Sequence, residues 1–154
     1  MNTEFRIAVI PGDGIGEEIM AVCLEVLRAL EQKVGGFRLN AEPLTGGAAT
    51  YRDTGIAFSD ESFKKAELAD AILFGAMGLP NVRYADGTEI APHLEMRREF
   101  GLFAGLRPVK AFPHAQLTLK DPRAADIDLL ILRESTEGLF ASVGKGVVED
   151  DRVA

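Results

Sequence analysis

One cysteine, two histidines and no tryptophan occur among the 154 residues of this chain. The lone Cys23 excludes an internal disulfide and any zinc site built on cysteine thiolates. His93 and His114 lie far apart, with no HExxH or CxxC motif near them. Basic residues are also scarce: 17 Lys plus Arg stand against 24 Asp plus Glu, a formal net charge of −7. A chain with that balance and no local Lys/Arg cluster lacks the electrostatic footprint for a phosphate backbone. Neither nucleic acid nor an anionic membrane is an expected partner. No apolar run approaches the roughly 18 residues of a spanning helix. Met1 to Phe5 lacks the basic and apolar regions of a secretory signal, so a cytoplasmic address is expected.

What is present reads as a globular chain. Hydrophobic residues make up 47% and charged residues 27%, and the length suits one ordinary domain. Sixteen glycines, about a tenth of the chain against a typical ~7%, announce several tight turns. The apolar run Phe5 to Ile10, ended by Pro11-Gly12, predicts a buried strand. A helix is predicted from about Glu17 to Lys33. Ile19, Met20, Cys23, Leu24, Val26, Leu27 and Leu30 trace one apolar face, and Gly35-Gly36 stops it. Phe37, Leu39 and Ala41 alternate as a second strand. Ser59 is placed to cap a helix running to about Leu68. Ala71 to Phe74, closed by Gly75, makes a third strand. This order predicts an α/β fold with a parallel sheet and helices on its faces.

Beyond Gly78 the pattern becomes irregular until Pro92, which suits the first turn of a short helix to about Phe100. Leu102 to Ala111 reads as extended and interrupted by Pro108. Ile127 to Leu132 is nearly all apolar, the pattern of a strand buried on both sides. Val147 to Ala154 begin another strand-like pattern that stops early.

The first strand leads into Gly12-Asp13-Gly14-Ile15-Gly16 and then a helix, an arrangement that invites a dinucleotide-binding reading. The G-x-G-x-x-G fingerprint requires a third glycine where this chain has Glu17. Glu17 and Glu18 also put negative charge at a helix end that would receive a pyrophosphate. On the residues alone the loop reads as a tight turn whose acidic neighbours complement the helix dipole, in preference to a standard dinucleotide site.

Four segments in order carry a more specific likeness. Val9 to Glu18 resembles the opening of the isocitrate/isopropylmalate dehydrogenase family, the β-decarboxylating hydroxyacid dehydrogenases. Leu73-Phe74-Gly75-Ala76 resembles that family's strand before its cofactor-side loop. Arg97 to Pro108 resembles its R-x9-LRP segment, and Leu132 to Gly138 its RENTEG-type motif. The resemblance runs from Arg6 to the last residue. It implies a non-Rossmann α/β sheet with flanking helices, the incomplete N-terminal part of a two-domain enzyme. Residues 1–101 would form the first part of the cofactor-side domain, and 102–154 the start of the substrate and dimer domain.

The resemblance also implies roles. Arg97, Arg107 and Arg133 occupy the positions of three arginines that clamp substrate carboxylates. A planar, permanently charged guanidinium suits a di- or tricarboxylate. Period-two counting puts Arg107 on one side of its segment with Phe103 and Val109. His93 and Leu94 fall where the family reads the group that distinguishes one substituted malate from another. Here Ala91, His93 and Leu94 match neither the apolar set of isopropylmalate enzymes nor the Ser and Asn of isocitrate enzymes. Ile15, Gly75 and Glu89 are the implied contacts to NAD, with NADP an alternative.

The implied reaction is metal- and NAD(P)-dependent oxidative decarboxylation of a 3-substituted malate, by a homodimer as full-length protein. Alternatives are a tartrate- or D-malate-type dehydrogenase, and a catalytically silent truncated member acting as a partner subunit. The Mg2+ or Mn2+ ligands and the catalytic lysine are expected outside this segment, since Asp150 and Asp151 come too early. Seven residues after Arg133, where the family carries a proton-donating tyrosine, this chain has Phe140. Phenylalanine has no proton to give. Lys145, near in sequence, has no family match.

Overall fold

The computed structural model describes residues 3–112, 119–142, 148–149 and 152–153. His114, Lys145, Asp150 and Asp151 lie outside the described residues. Two compact units divide the chain, Met1–Met96 and Arg97–Ala154.

In the first unit three strands form a parallel sheet in the order β2-β1-β3. β1 (Thr3–Gly12) is its middle strand. It pairs with β2 (Phe37–Pro43) from Thr3↔Phe37 to Val9↔Pro43. On its other side it pairs with β3 (Ala71–Ala76) from Ile7↔Ala71 to Gly12↔Ala76. The expected parallel arrangement is therefore observed. Ala8, Val9 and Ile10 at the centre of β1 are at most 2% exposed, whereas the expected burial of Phe5 and Arg6 is not found: both are exposed near the start of the strand. The strand continues through Pro11 and Gly12 because β3 pairs with it that far.

Helix α1 (Ile15–Val34) joins β1 to β2. Its apolar residues were expected on one face, and they do form one continuous arc, but only part of that arc is buried. Met20 is buried, and Cys23, Leu24 and Leu27 are half-buried, whereas Ile19, Val26 and Leu30 are exposed along with Ile15, Val22 and Val34. At 3.6 residues per turn these positions cover about 200° of the circumference, and the helix meets the sheet along only part of that arc. The Glu31 carboxylate ties the helix to β2 by accepting from the Leu39 amide at 3.0 Å.

The crossover from β2 to β3 contains two helices, α2 (Ala48–Thr54) and α3 (Asp60–Glu67). The second begins as its sequence predicts: the Ser59 hydroxyl accepts from the Ser62 amide at 3.1 Å. The first was not foreseen, because Gly46-Gly47 and the short run after them carry no capping residue. Past β3, residues 77–91 fold back on α2. Ile90, 1% exposed, packs with Ala48 and Ala57, and Tyr84 meets Tyr51 edge to face with ring centroids 5.0 Å apart. Burial raises the pKa of the Tyr84 phenol above its usual value. α4 (Pro92–Glu99) follows, burying Pro92 and Met96 one turn apart.

In the second unit β4 (Ala104–Lys110) and β5 (Asp128–Glu134) pair antiparallel, from Ala104↔Glu134 to Lys110↔Asp128. Pro108 does not interrupt β4, where it stands opposite Leu130. The expectation that residues 127–132 form a strand buried on both sides is corrected here. Leu129, Leu130, Ile131 and Leu132 are 48–69% exposed, on a ladder that has two strands among the described residues. A one-turn helix, α5 (Gly138–Ala141), follows β5. β6 (Val148–Glu149) and β7 (Arg152–Val153) make a two-residue antiparallel pair.

Candidate functional site

At the C-terminal end of the parallel sheet the glycine loop performs backbone packing. A Cβ on Gly16 would lie 2.2 Å from the Pro11 carbonyl oxygen, and one on Gly75 would lie 2.0 Å from the same oxygen. Both glycines thus make room for a single carbonyl where β1, β3 and the start of α1 meet. Gly12 has φ +81°, and a Cβ there would lie 1.9 Å from the Ala76 oxygen. Gly14 differs, with open space around its Cα and φ +54°. Ile15 beside it is 64% exposed.

Asp13 sits among these glycines and is 3% exposed. Its Oδ2 accepts from the amides of Ala48 and Gly78, and its Oδ1 from the amide of Ala49, all at 2.8 Å. Sequence reasoning passed over this residue as part of a turn. The available signal was an acidic side chain inside a glycine run together with a helix start that has no capping residue of its own.

The other first-unit candidates are dispersed. Glu89 is exposed and pairs with Arg83 at 3.1 Å. His93 is half-buried, its ring 5.8 Å from that of Phe74 on β3, while its neighbour Leu94 is 54% exposed. Among the described residues no group of three or more His, Cys, Asp or Glu side chains is arranged to hold a metal ion.

The three family-matched arginines fall in the second unit. Arg107 stands opposite Ile131 and Arg133 opposite Gly105. Side chains directly across an antiparallel ladder share a face, and so do residues two apart on one strand. Arg107 and Arg133 are therefore diagonal neighbours on one face of the ladder. Gly105 has no side chain to crowd this face. A Cβ there would come 3.4 Å from the Arg133 Cβ. Arg133 is half-buried, while Arg107 and Arg97 are exposed and form no ion pair among the described residues. Arg97 leads into β4, its carbonyl accepting from the Leu102 amide at 2.9 Å.

Immediately after Arg133 the chain is turned by Glu134. Its carboxylate accepts from the Thr136 hydroxyl and amide and, at 2.7 Å, from the Glu137 amide. The Thr136 bonds hold its pKa below the usual carboxylate value. Phe140 lies on α5, and its side chain lies outside what is described.

A parallel sheet with flanking helices, followed by an antiparallel ladder carrying paired arginines, belongs to an α/β architecture shared with solved dehydrogenases. A β-decarboxylating dehydrogenase from Thermococcus kodakarensis superposes with a TM-score of 0.66 and 30% identity, covering 97% of this chain and 39% of its own. Isocitrate dehydrogenase from Methylococcus capsulatus shares the fold with a TM-score of 0.68 at 24% identity. The isocitrate/isopropylmalate dehydrogenase family model matches residues 6–153, and the chain belongs to that family. A 3-isopropylmalate dehydrogenase from Syntrophotalea carbinolica is 41% identical over 96% of this chain. A probable tartrate dehydrogenase/decarboxylase from Agrobacterium vitis is 36% identical over 92%. The chain spans 42% and 39% of the lengths of these two relatives.

Proposed function

We propose that this chain contributes to a metal- and NAD(P)-dependent dehydrogenase that oxidatively decarboxylates a 3-substituted malate, acting as a homodimer in full-length form. The observation that carries the reading is the placement of Arg107 and Arg133 as diagonal neighbours on one open face of the β4–β5 ladder. Two guanidinium groups so placed bind two carboxylates, or both oxygens of one, with charge-assisted bonds worth about 1.5–3 kcal/mol each. Arg97 is the third cation of this set. His93 and Leu94, on the preceding turns of α4, are assigned to the substituent of the malate.

In this reading residues 1–101 belong to the cofactor-side domain and 102–154 begin the substrate domain. The open space over Gly14 and the exposed apolar Ile15 fit the face of a flat ring, and Ile15, Gly75 and Glu89 are assigned to the dinucleotide side. A bound nicotinamide dinucleotide supplies the hydride acceptor. The arginines hold the 2-hydroxy acid through its carboxylates and leave the carbon that loses hydride unobstructed. As the β-carboxylate departs as carbon dioxide, a guanidinium that held it keeps its charge, and the enol then takes up a proton. Phe140 cannot donate that proton. Among the described residues no ligand set for the metal is present.

The 36% identity to a probable tartrate dehydrogenase/decarboxylase supports a second substrate class, tartrate or D-malate. The test is NAD+ reduction by the full-length protein with Mg2+ or Mn2+ across isopropylmalate, tartrate, D-malate and isocitrate. Arg107→Ala and Arg133→Ala are each expected to lower kcat/KM at least tenfold on the substrate that is turned over. Unchanged kinetics would remove these arginines from the site. No turnover of any of the four acids would favour a silent partner subunit.

A further inference from the structure

Asp13 is the one buried charged side chain among the described residues, and the proposed reaction gives it no chemical step. Its two carboxylate oxygens accept three backbone amides, all at 2.8 Å. Two of these, Ala48 and Ala49, are first-turn donors of α2 that no other side chain caps. The third, Gly78, belongs to the loop after β3. The main chain of Asp13 adds two more ties: its amide donates to the Ala76 carbonyl at 2.7 Å, and its carbonyl accepts from the Gly16 amide at 2.9 Å. One residue therefore joins the end of β1, the start of α1, the start of α2 and the exit of β3.

The fit leaves little slack. A Cβ on Gly47 would lie 2.6 Å from Oδ2, so glycine is needed beside the carboxylate as well. The amides point at acceptors only, and a carboxylate presents no hydrogen to them. It also occupies the positive end of α2, so no external phosphate is accommodated there. Gly14 and Ile15, which follow Asp13 directly, are the open positions at this end of the sheet.

We propose that Asp13 is a positioning residue for the dinucleotide: its three-amide clamp sets the Gly12–Gly16 turn against the Met77–Gly78 segment and so fixes Ile15 where a ring of the dinucleotide packs. This rests on the dinucleotide reading given above, and the experiment separates the two. Wild type and Asp13→Asn, both as the full-length protein, are compared by NADH fluorescence titration, isopropylmalate titration and amide hydrogen exchange. Asparagine can keep an oxygen toward Ala48 and Gly78 but turns its NH2 toward the Ala49 amide. The expected result is at least tenfold faster exchange at Ala49 than in wild type, with Ala48 and Gly78 less affected. The Kd for NADH should rise at least tenfold, with the isopropylmalate affinity within twofold of wild type.

NADH bound equally by both proteins overturns the role of Asp13 alone. Weakening of both ligands in proportion also overturns it, since that marks a general loss of structure. No NADH binding by wild type overturns the dinucleotide reading and the proposal with it. A wild-type measurement keeps the proposal testable if Asp13→Asn does not fold. Saturating NADH should slow exchange at the Ile15 and Gly78 amides together, and unaltered exchange there overturns the proposal.

Discussion

Helix propensity and tertiary packing make opposite predictions at Gly16, which makes it a sharp test of how the sheet end is built. Gly16 is the second residue of α1, and on propensity alone Gly→Ala in a helix stabilises by roughly 0.5–1 kcal/mol. The new methyl, however, would stand 2.2 Å from the Pro11 carbonyl oxygen, where ordinary contact begins at 3.4 Å. The helix start and β1 would have to separate by about 1.2 Å, the difference between those distances. β1 is held by ladders on both sides, so it has no direction in which to yield. Overpacking of this kind costs about 1–3 kcal/mol, and each ladder bond broken to relieve it adds about 1 kcal/mol. Gly16→Ala is therefore expected to destabilise by about 3 kcal/mol. Gly75→Ala, 2.0 Å from the same oxygen, is expected to do the same. Gly14→Ala, with open space and only its positive φ to strain, should cost about 1 kcal/mol. Urea denaturation of the full-length protein, followed by circular dichroism, measures all three. With an m-value of about 2 kcal/mol/M, the two packed glycines shift the midpoint by roughly 1.5 M. A Gly16→Ala or Gly75→Ala variant within 0.5 kcal/mol of wild type would refute the packing argument.

Two further outcomes are expected. The stripe Ile15, Ile19, Val22, Val26, Leu30 and Val34 on α1, with the exposed leucines of β4–β5, leaves large apolar surface uncovered, so this 154-residue chain alone should self-associate. A sharp monomeric peak by light scattering, with cooperative melting, would contradict that. Phe140→Tyr should speed turnover on the substrate that is used, since positioned proton donation is typically worth 10²–10⁴-fold. A variant slower on every acid tested would instead assign Phe140 to the fit of the substrate's side group.

The sequence determined by itself whatever depends on local pattern. The apolar runs at Phe5–Ile10 and Ala71–Phe74, the Ser59 cap and the helix after the glycine loop follow from side-chain period and capping chemistry. These act over a few residues and need no partner to be read. The strand–helix order was enough to make the sheet parallel, because consecutive strands joined by a crossover helix run the same way. The family was legible for a related reason: its motifs are contiguous segments.

Tertiary structure decided what depends on which surfaces meet. The seven apolar positions of α1 form one continuous arc in sequence. Only the sheet decides that Met20, Cys23, Leu24 and Leu27 are its contact face. Ile127 to Leu132 has the composition of a doubly buried strand, yet Leu129 to Leu132 are about half exposed or more, because burial depends on what packs over a strand and not on its composition. The glycines at 12, 16 and 75 look like a ligand loop in one dimension and prove to be crossing points of backbone in three. Asp13 shows the limit most clearly. Its partners lie 35, 36 and 65 residues away in the chain, and no local pattern records a carboxylate shared by amides that only folding brings together.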